Sequence, residues 1–209
     1  MLLKKISMKK SNQTKIFNYF EKKSSYYENI KNSILFLLIK KKELDIFIKN
    51  VNIFKKDSVI DLASGSGFYI NEILKYEPKE IYAIDFSLNM LEKIKISKVI
   101  KIHSSVENLI LDKIFDKVFC FGLLEFCKDI DIIFKKIYNL SDSNTQVFII
   151  FPRKNIFGFF YKFYHFLNGF NIELRNFTEI ENKLFKNNFM IIKKYNTLLS
   201  TFIVINKND

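Results

Sequence analysis

Two aspartates, one turn of small residues and a few bases carry the chemistry that this 209-residue sequence offers. Asp61 follows the apolar pair Val59-Ile60 and leads into Leu62-Ala63-Ser64-Gly65-Ser66-Gly67. A strand therefore runs into a turn whose small side chains let the backbone approach a ligand closely. From the end of such a strand, the Asp61 carboxylate either fixes the turn or meets a cationic group. Asp85 closes the next apolar run, Ile81-Tyr82-Ala83-Ile84, about twenty residues on, where an acid accepts both hydroxyls of a ribose. Proton acceptors are few. Glu125 and His165 are the candidates, while His103 ends a core strand and is better read as a packing and hydrogen-bonding residue. No metal site is expected.

The elements that must position these groups follow from the apolar periodicity. Before Lys56 the pattern is helical, with Ile16, Phe17 and Phe20, then Ile34, Leu35 and Leu38, then Leu44, Phe47 and Ile48 at three-to-four spacing. From Asp57 onward, short apolar runs alternate with helical segments, which calls for a parallel sheet covered on both faces. Strands are expected at 58–62, 80–84, 99–103, 117–121 and 147–151, with helices at 68–76, 88–96 and 130–140. Ser87 should cap the second of these helices, and Thr178 a further one over 179–187. The segments 189–199 and 201–206 read as a terminal antiparallel hairpin. The expected fold is α/β, a Rossmann-like three-layer sandwich with a mostly parallel seven-stranded sheet. It divides into an N-terminal helical extension or cap (1–56) and a main domain (57–209) carrying an aromatic insertion at about 153–177.

Asp61-Leu62-Ala63-Ser64-Gly65-Ser66-Gly67 resembles motif I of the class I S-adenosylmethionine-dependent methyltransferases, with Ala63 where the first glycine commonly stands. A dinucleotide fingerprint fits less well, because its third glycine would fall at Ile70. The resemblance continues in order. Asp85 matches the family's ribose-binding acid, and Phe86 an apolar contact on the adenine side. Ser104-Ser105-Val106-Glu107 resembles the adenine-reading stretch, with Ser105 in place of the usual acid. Phe115 to Phe126 resembles motif IV and its continuation, with Phe126 where histidine is frequent. Tyr27 sits in a Tyr-Tyr-Glu element similar to one that closes over the cofactor from upstream. The resemblance thus implies S-adenosyl-L-methionine as cofactor. It implies Asp61, Ala63, Ser64, Gly65, Gly67, Asp85, Phe86, Ser105, Val106, Phe121 and Tyr27 as the residues that hold it.

A small, apolar or aromatic methyl acceptor is the leading expectation, drawn from the Phe-rich segment Ile156 to Phe170. A nucleic-acid acceptor is the rival. The net charge of +12 favours it, but Phe121-Gly122-Leu123-Leu124 does not resemble the Asn/Asp-Pro-Pro-Tyr/Phe motif of base-amino enzymes. A binding module that has lost chemistry is the third reading. The lysines fall in scattered short groups, so solvated surface is preferred over a dedicated polyanion site, and AT-rich codons alone would raise Lys, Phe, Ile and Asn. Two cysteines and no recognisable leader suggest a reducing, cytoplasmic setting. No run is long and uninterrupted enough to span a bilayer, which leaves peripheral membrane contact as an alternative.

Overall fold

The computed structural model describes residues 11–22 and 34–208, with side chains in the second stretch from residue 40 onward. Tyr27 and the side chains of Ile34, Leu35 and Leu38 lie outside the described residues. Helix α1 (Asn12–Lys22) and helix α2 (Ile34–Asn50) precede the first strand. Strands β1 (Ser58–Leu62), β2 (Glu80–Asp85), β3 (Val99–His103), β4 (Lys117–Phe121) and β5 (Gln146–Pro152) follow, with helical segments between consecutive strands except between β3 and β4, where 104–116 is irregular. The chain ends in β6 (Phe189–Asn196) and β7 (Ser200–Lys207).

The seven strands form one sheet in the order β3-β2-β1-β4-β5-β7-β6. The first five are parallel; β7 runs antiparallel to β5 and to β6. All five residues of β1 and of β4 are buried, as continuous apolar strands covered on both faces must be. One face packs Leu62, Val118 and Ile149 beneath helix α5 (Ile130–Asn139) and helix α7 (Phe177–Lys186), through Ile133, Phe134, Ile180 and Leu184. The other packs Val59, Phe119 and Phe148 against Phe47 and Val51 of the α2 region and Ile70 and Ile73. The strand order reverses between β1 and β4, so the carboxyl ends of β1, β2 and β4 open a crevice there.

Two crossover helices are shorter than their periodicity suggests. Helix α3 covers only Ile70–Ile73 and tightens into a 3-10 turn at Leu74–Tyr76, ended by Glu77 in the left-handed region just before Pro78. Helix α4 covers Leu88–Leu91, after which Lys93 and Ile94 bond three residues back rather than four. Ser87 caps α4 by accepting from the Met90 amide at 3.2 Å. The cap before α7 is Asn176 rather than Thr178, which lies inside the helix. A β-bulge at Ile191/Lys193 interrupts the edge strand β6.

The aromatic segment folds as helix α6 (Ile156–Leu167), with Asn155 capping the Gly158 amide at 2.9 Å. Its polarity is inverted. Gly158 and His165 are buried, whereas Ile156, Phe157, Phe159, Phe160, Phe163, Phe166 and Leu167 are exposed. A third apolar cluster joins Ile16 and Tyr19 of α1 to Phe170, Ile172 and Leu174 beyond α6. Asn12 and Asn171 exchange two hydrogen bonds at this junction. Glu21, at the other end of α1, accepts from Ser87 Oγ at 2.7 Å and from the Asn89 amide side chain at 2.8 Å.

A β-carbon at Gly158 would lie 1.8 Å from the backbone oxygen of Arg153, which no side-chain adjustment relieves. Gly158→Ala should therefore cost about 1–3 kcal/mol of stability, as overpacking does, measured by urea denaturation. An unchanged midpoint would mean that α6 is not anchored at this point.

Candidate functional site

The crevice at the carboxyl edge of the sheet encloses a cavity of about 360 Å³. The turn after β1 contributes Asp61, Ala63, Ser64 and Gly65, and the end of β2 contributes Asp85 and Phe86. Phe121 and Glu125 enter from the β4 side, and Tyr161, Tyr164 and His165 from α6. Tyr19 and Phe20 of α1 complete the wall.

The turn is set by backbone geometry. Ser64 N–H donates to the Ile84 carbonyl at 2.9 Å, and Ala63, Gly65 and Gly67 all take positive φ. Beside Gly65 a β-carbon would meet nothing within 4 Å, so its missing side chain leaves space open for a ligand. At Gly67 packing also asks for glycine, since a β-carbon there would lie 2.9 Å from Ile94.

Asp85 joins the two loops. One carboxylate oxygen accepts from Gly65 N–H and the other from Ser87 N–H, both at 2.8 Å. Burial raises its pKa above the ordinary carboxylate value, against the pull of those two amides and of His103. Each oxygen keeps a second lone pair for a ligand hydroxyl. Asp61 is buried too, and its Oδ1 has no hydrogen-bond partner among the described residues. Desolvation, then the neighbouring Asp85 charge, push its pKa well up. An orphaned buried carboxyl oxygen beside an open turn suits a ligand that brings a cationic group.

On the opposite wall His165 is 5% exposed, and neither ring nitrogen has a partner among the described residues. Tyr161, Phe170, Tyr164 and Phe126 surround it, with ring centroids 4.5–5.7 Å away. Burial lowers its pKa to about 4, so the imidazole is neutral at ordinary pH. Glu125 is buried with Oε2 unpartnered among the described residues, and desolvation raises its pKa to about 7. Arg175 holds the Glu125 loop by donating to the carbonyls of Leu124 at 2.7 Å and Cys127 at 2.6 Å.

The remaining expected residues fall elsewhere. Ser105 and Val106 do not line this cavity. Val106 packs into the core with Leu109, and Ser105 Oγ accepts from Asn108 N–H at 3.3 Å. His103 does not line the cavity; its Nε2 meets the Phe86 carbonyl at 3.0 Å. Sequence reasoning missed a buried cluster in the same wall. Glu43 accepts from Lys40 at 2.6 Å, from Tyr69 at 3.1 Å and from Ser200 at 2.5 Å. Burial raises the Tyr69 pKa beyond its ordinary value, keeping the phenol protonated.

Residues 60–149 match the methyltransferase domain family, a span that holds the turn after β1, Asp85 and Glu125. Over that span the chain is similar to methyltransferase domains. S-adenosyl-L-methionine is the cofactor of that family. Solved structures share the fold across nearly the whole chain. The magnesium protoporphyrin IX methyltransferase ChlM of Synechocystis PCC 6803, with bound SAH, aligns at a TM-score of 0.75 and 14% identity, covering 95% of this chain and 100% of that one. DhpI in its SAH complex aligns at 0.73 and 13%, covering 94% and 97%. An S-adenosylmethionine-dependent methyltransferase from Mesorhizobium loti aligns at 0.71 and 10%, covering 79% and 97%. At such identities the likeness is one of fold. Comparison with curated protein sequences gives no match.

Two substitutions probe this site without a ligand. Ala63 holds φ 62°, a left-handed conformation that costs an L-residue roughly 1–2 kcal/mol. Ala63→Gly should therefore gain about 0.5–1 kcal/mol, after the extra freedom of glycine in the unfolded chain is offset. A loss of stability in urea would place the strain elsewhere. The folded Glu125 pKa lies above the ordinary 4.5, so its contribution to stability is fully present below pH 4.5 and lost as pH rises through 7. Glu125→Gln should consequently stabilise the protein by about 1–3 kcal/mol at pH 8 and by far less at pH 5. His165 has the opposite sign: its contribution is present above pH 6.5 and lost as pH falls towards 4.

Proposed function

We propose that this chain is a methyltransferase that moves a methyl group from S-adenosyl-L-methionine to a small, apolar or aromatic acceptor. One observation carries the reading: a single cavity joins the turn after β1 and Asp85 to the buried, unpartnered groups of His165 and Glu125. Residues 57–209 would form the catalytic domain, 1–56 its helical cap and 153–177 the acceptor-side insertion. The two-ended anchoring of α1, at Asn171 and at Ser87, supports the capping role.

Asp85 would hold the ribose hydroxyls with its free lone pairs, and Phe86 would lie against the adenine. Asp61 would meet the cationic part of the cofactor, and Ser64 and Gly65 would present backbone to it. When bound, S-adenosyl-L-methionine supplies an electrophilic methyl group on a sulfonium. The chain's own part is to align the acceptor, exclude water and take a proton. His165, neutral and with no competing hydrogen bond among the described residues, would accept the proton of an acidic hydroxyl at a ring nitrogen. The rings of Tyr161, Tyr164 and Phe126 would pack on an apolar acceptor.

A nucleic-acid acceptor is disfavoured by the charge of the wall. The acidic groups Glu43, Asp61, Asp85 and Glu125 line the cavity, with Lys40 as the basic one among the described residues. The excess of +12 therefore sits outside the reaction space.

Calorimetry tests the reading directly. The folded chain should bind S-adenosylhomocysteine, and Asp85→Ala should weaken that binding about 10- to 100-fold, the value of losing hydrogen bonds to a charged group. Full affinity in the folded variant would remove Asp85 from the cofactor site. His165→Gln should leave the affinity for S-adenosylhomocysteine unchanged while lowering kcat by about 100-fold or more in a screen of phenolic acceptors.

A further inference from the structure

Helix α6 presents to solvent what a soluble helix normally buries. Seven large apolar side chains occupy a half-cylinder centred on Phe160 and Phe163, and Phe160 is 66% exposed. The polar and aromatic residues Tyr161, Tyr164 and His165 face the cavity instead. A contiguous apolar face of this size marks a contact surface. The helix is 12 residues, about 18 Å long at 1.5 Å per residue, too short to cross a bilayer but suited to lying in its interface. Among the described residues, no helix is long and apolar enough to cross a membrane.

The charge around this face selects the occupant. From Ser143 to Ile172 the sequence contains no Asp or Glu, while Arg153 and Lys154 precede the helix and Lys162 lies on its flank. The whole chain carries +12, so a second copy is repelled and an anionic surface attracted. We infer that the outward face of α6 docks on an anionic lipid bilayer, with its phenylalanines in the interface and the flanking basic groups at the headgroups. Because the same helix lines the cavity on its inner side, docking brings the acceptor end of the site to the membrane surface. The acceptor is then a lipophilic molecule that partitions into the bilayer. This last step rests on the proposed methyl transfer; the docking does not.

Flotation with vesicles tests the docking. At about 0.15 M salt, where charge-only attraction between exposed groups is largely screened, the chain should float with vesicles of equal phosphatidylglycerol and phosphatidylcholine and far less with phosphatidylcholine alone. The triple variant Phe159→Ser, Phe160→Ser, Phe163→Ser should lose at least about tenfold in partition, since each ring removed forfeits apolar burial. These three side chains do not line the cavity, so the variant should keep its affinity for S-adenosylhomocysteine, which also reports that it is folded. Three results would overturn the docking: no flotation of the parent chain, equal flotation of the triple variant, or a parent dimer in light scattering that the triple variant abolishes. A parent chain that floats but takes up no S-adenosylhomocysteine would sink the methyl-transfer reading and leave the docking intact.

Discussion

Everything in the site depends on where the Asp85 carboxylate is spent. It is buried between two loops that leave the sheet at adjacent strands, and it accepts one backbone amide from each. A carboxylate in that position costs desolvation energy, which the two amide dipoles and the nearby imidazole of His103 offset in part. The turn after β1 is thereby tied to the end of β2. The strained φ of Ala63 and the open space beside Gly65 are held in place by a bond formed with a residue far along the chain. Ser87 extends the same tie outward, because its amide bonds Asp85 while its hydroxyl reaches Glu21 of α1. The turn after β1, the loop after β2 and helix α1 are thus one connected unit.

The distribution of charge follows from this unit. Four carboxyl groups line the cavity, with Lys40 as the one lysine there among the described residues, so its field suits a cationic ligand even though the chain as a whole is strongly basic. Two buried groups of the cavity wall, His165 and Glu125, are displaced in opposite senses from their ordinary values by the same cause, loss of water. Both displacements favour the uncharged form.

The sheet was legible because a strand buried on both faces is a run of apolar residues, and such runs at 58–62 and 117–121 coincide with β1 and β4; the run at 99–103 coincides with the half-exposed edge strand β3. Asp61 and Asp85 were legible because each ends such a run. Helices α3 and α4 were overextended from periodicity, since a tightened 3-10 turn keeps nearly the same apolar spacing as an α-helical one. The Glu43 cluster was not legible: the Lys40–Glu43 pair on α2, Tyr69 and Ser200 come from three separate parts of the chain and meet only in the folded sheet, where β7 lies beside β5. Arg175 did leave a signal. It is one of two arginines in a chain otherwise basic through lysine, and its planar fork holds two adjacent carbonyls as a lysine would not. The inward turn of His165 could not be read from α6 itself, because a helix ordinarily buries its apolar side and here that side is the exposed one.

The outer strands bear on a different question, how a chain with 24 phenylalanines stays dispersed. An open sheet has two edges, here β3 and β6, and each offers unpaired amides to a strand from another molecule. Lys101 is exposed on β3, and Lys193 and Lys194 on β6, where the bulge also breaks the run of bonding groups. A strand approaching from either side would have to desolvate those ammonium groups and match an interrupted ladder. The lysines that look surplus in the composition thus act as guards against fibrous self-association, and their removal would expose the phenylalanine-rich sheet to it.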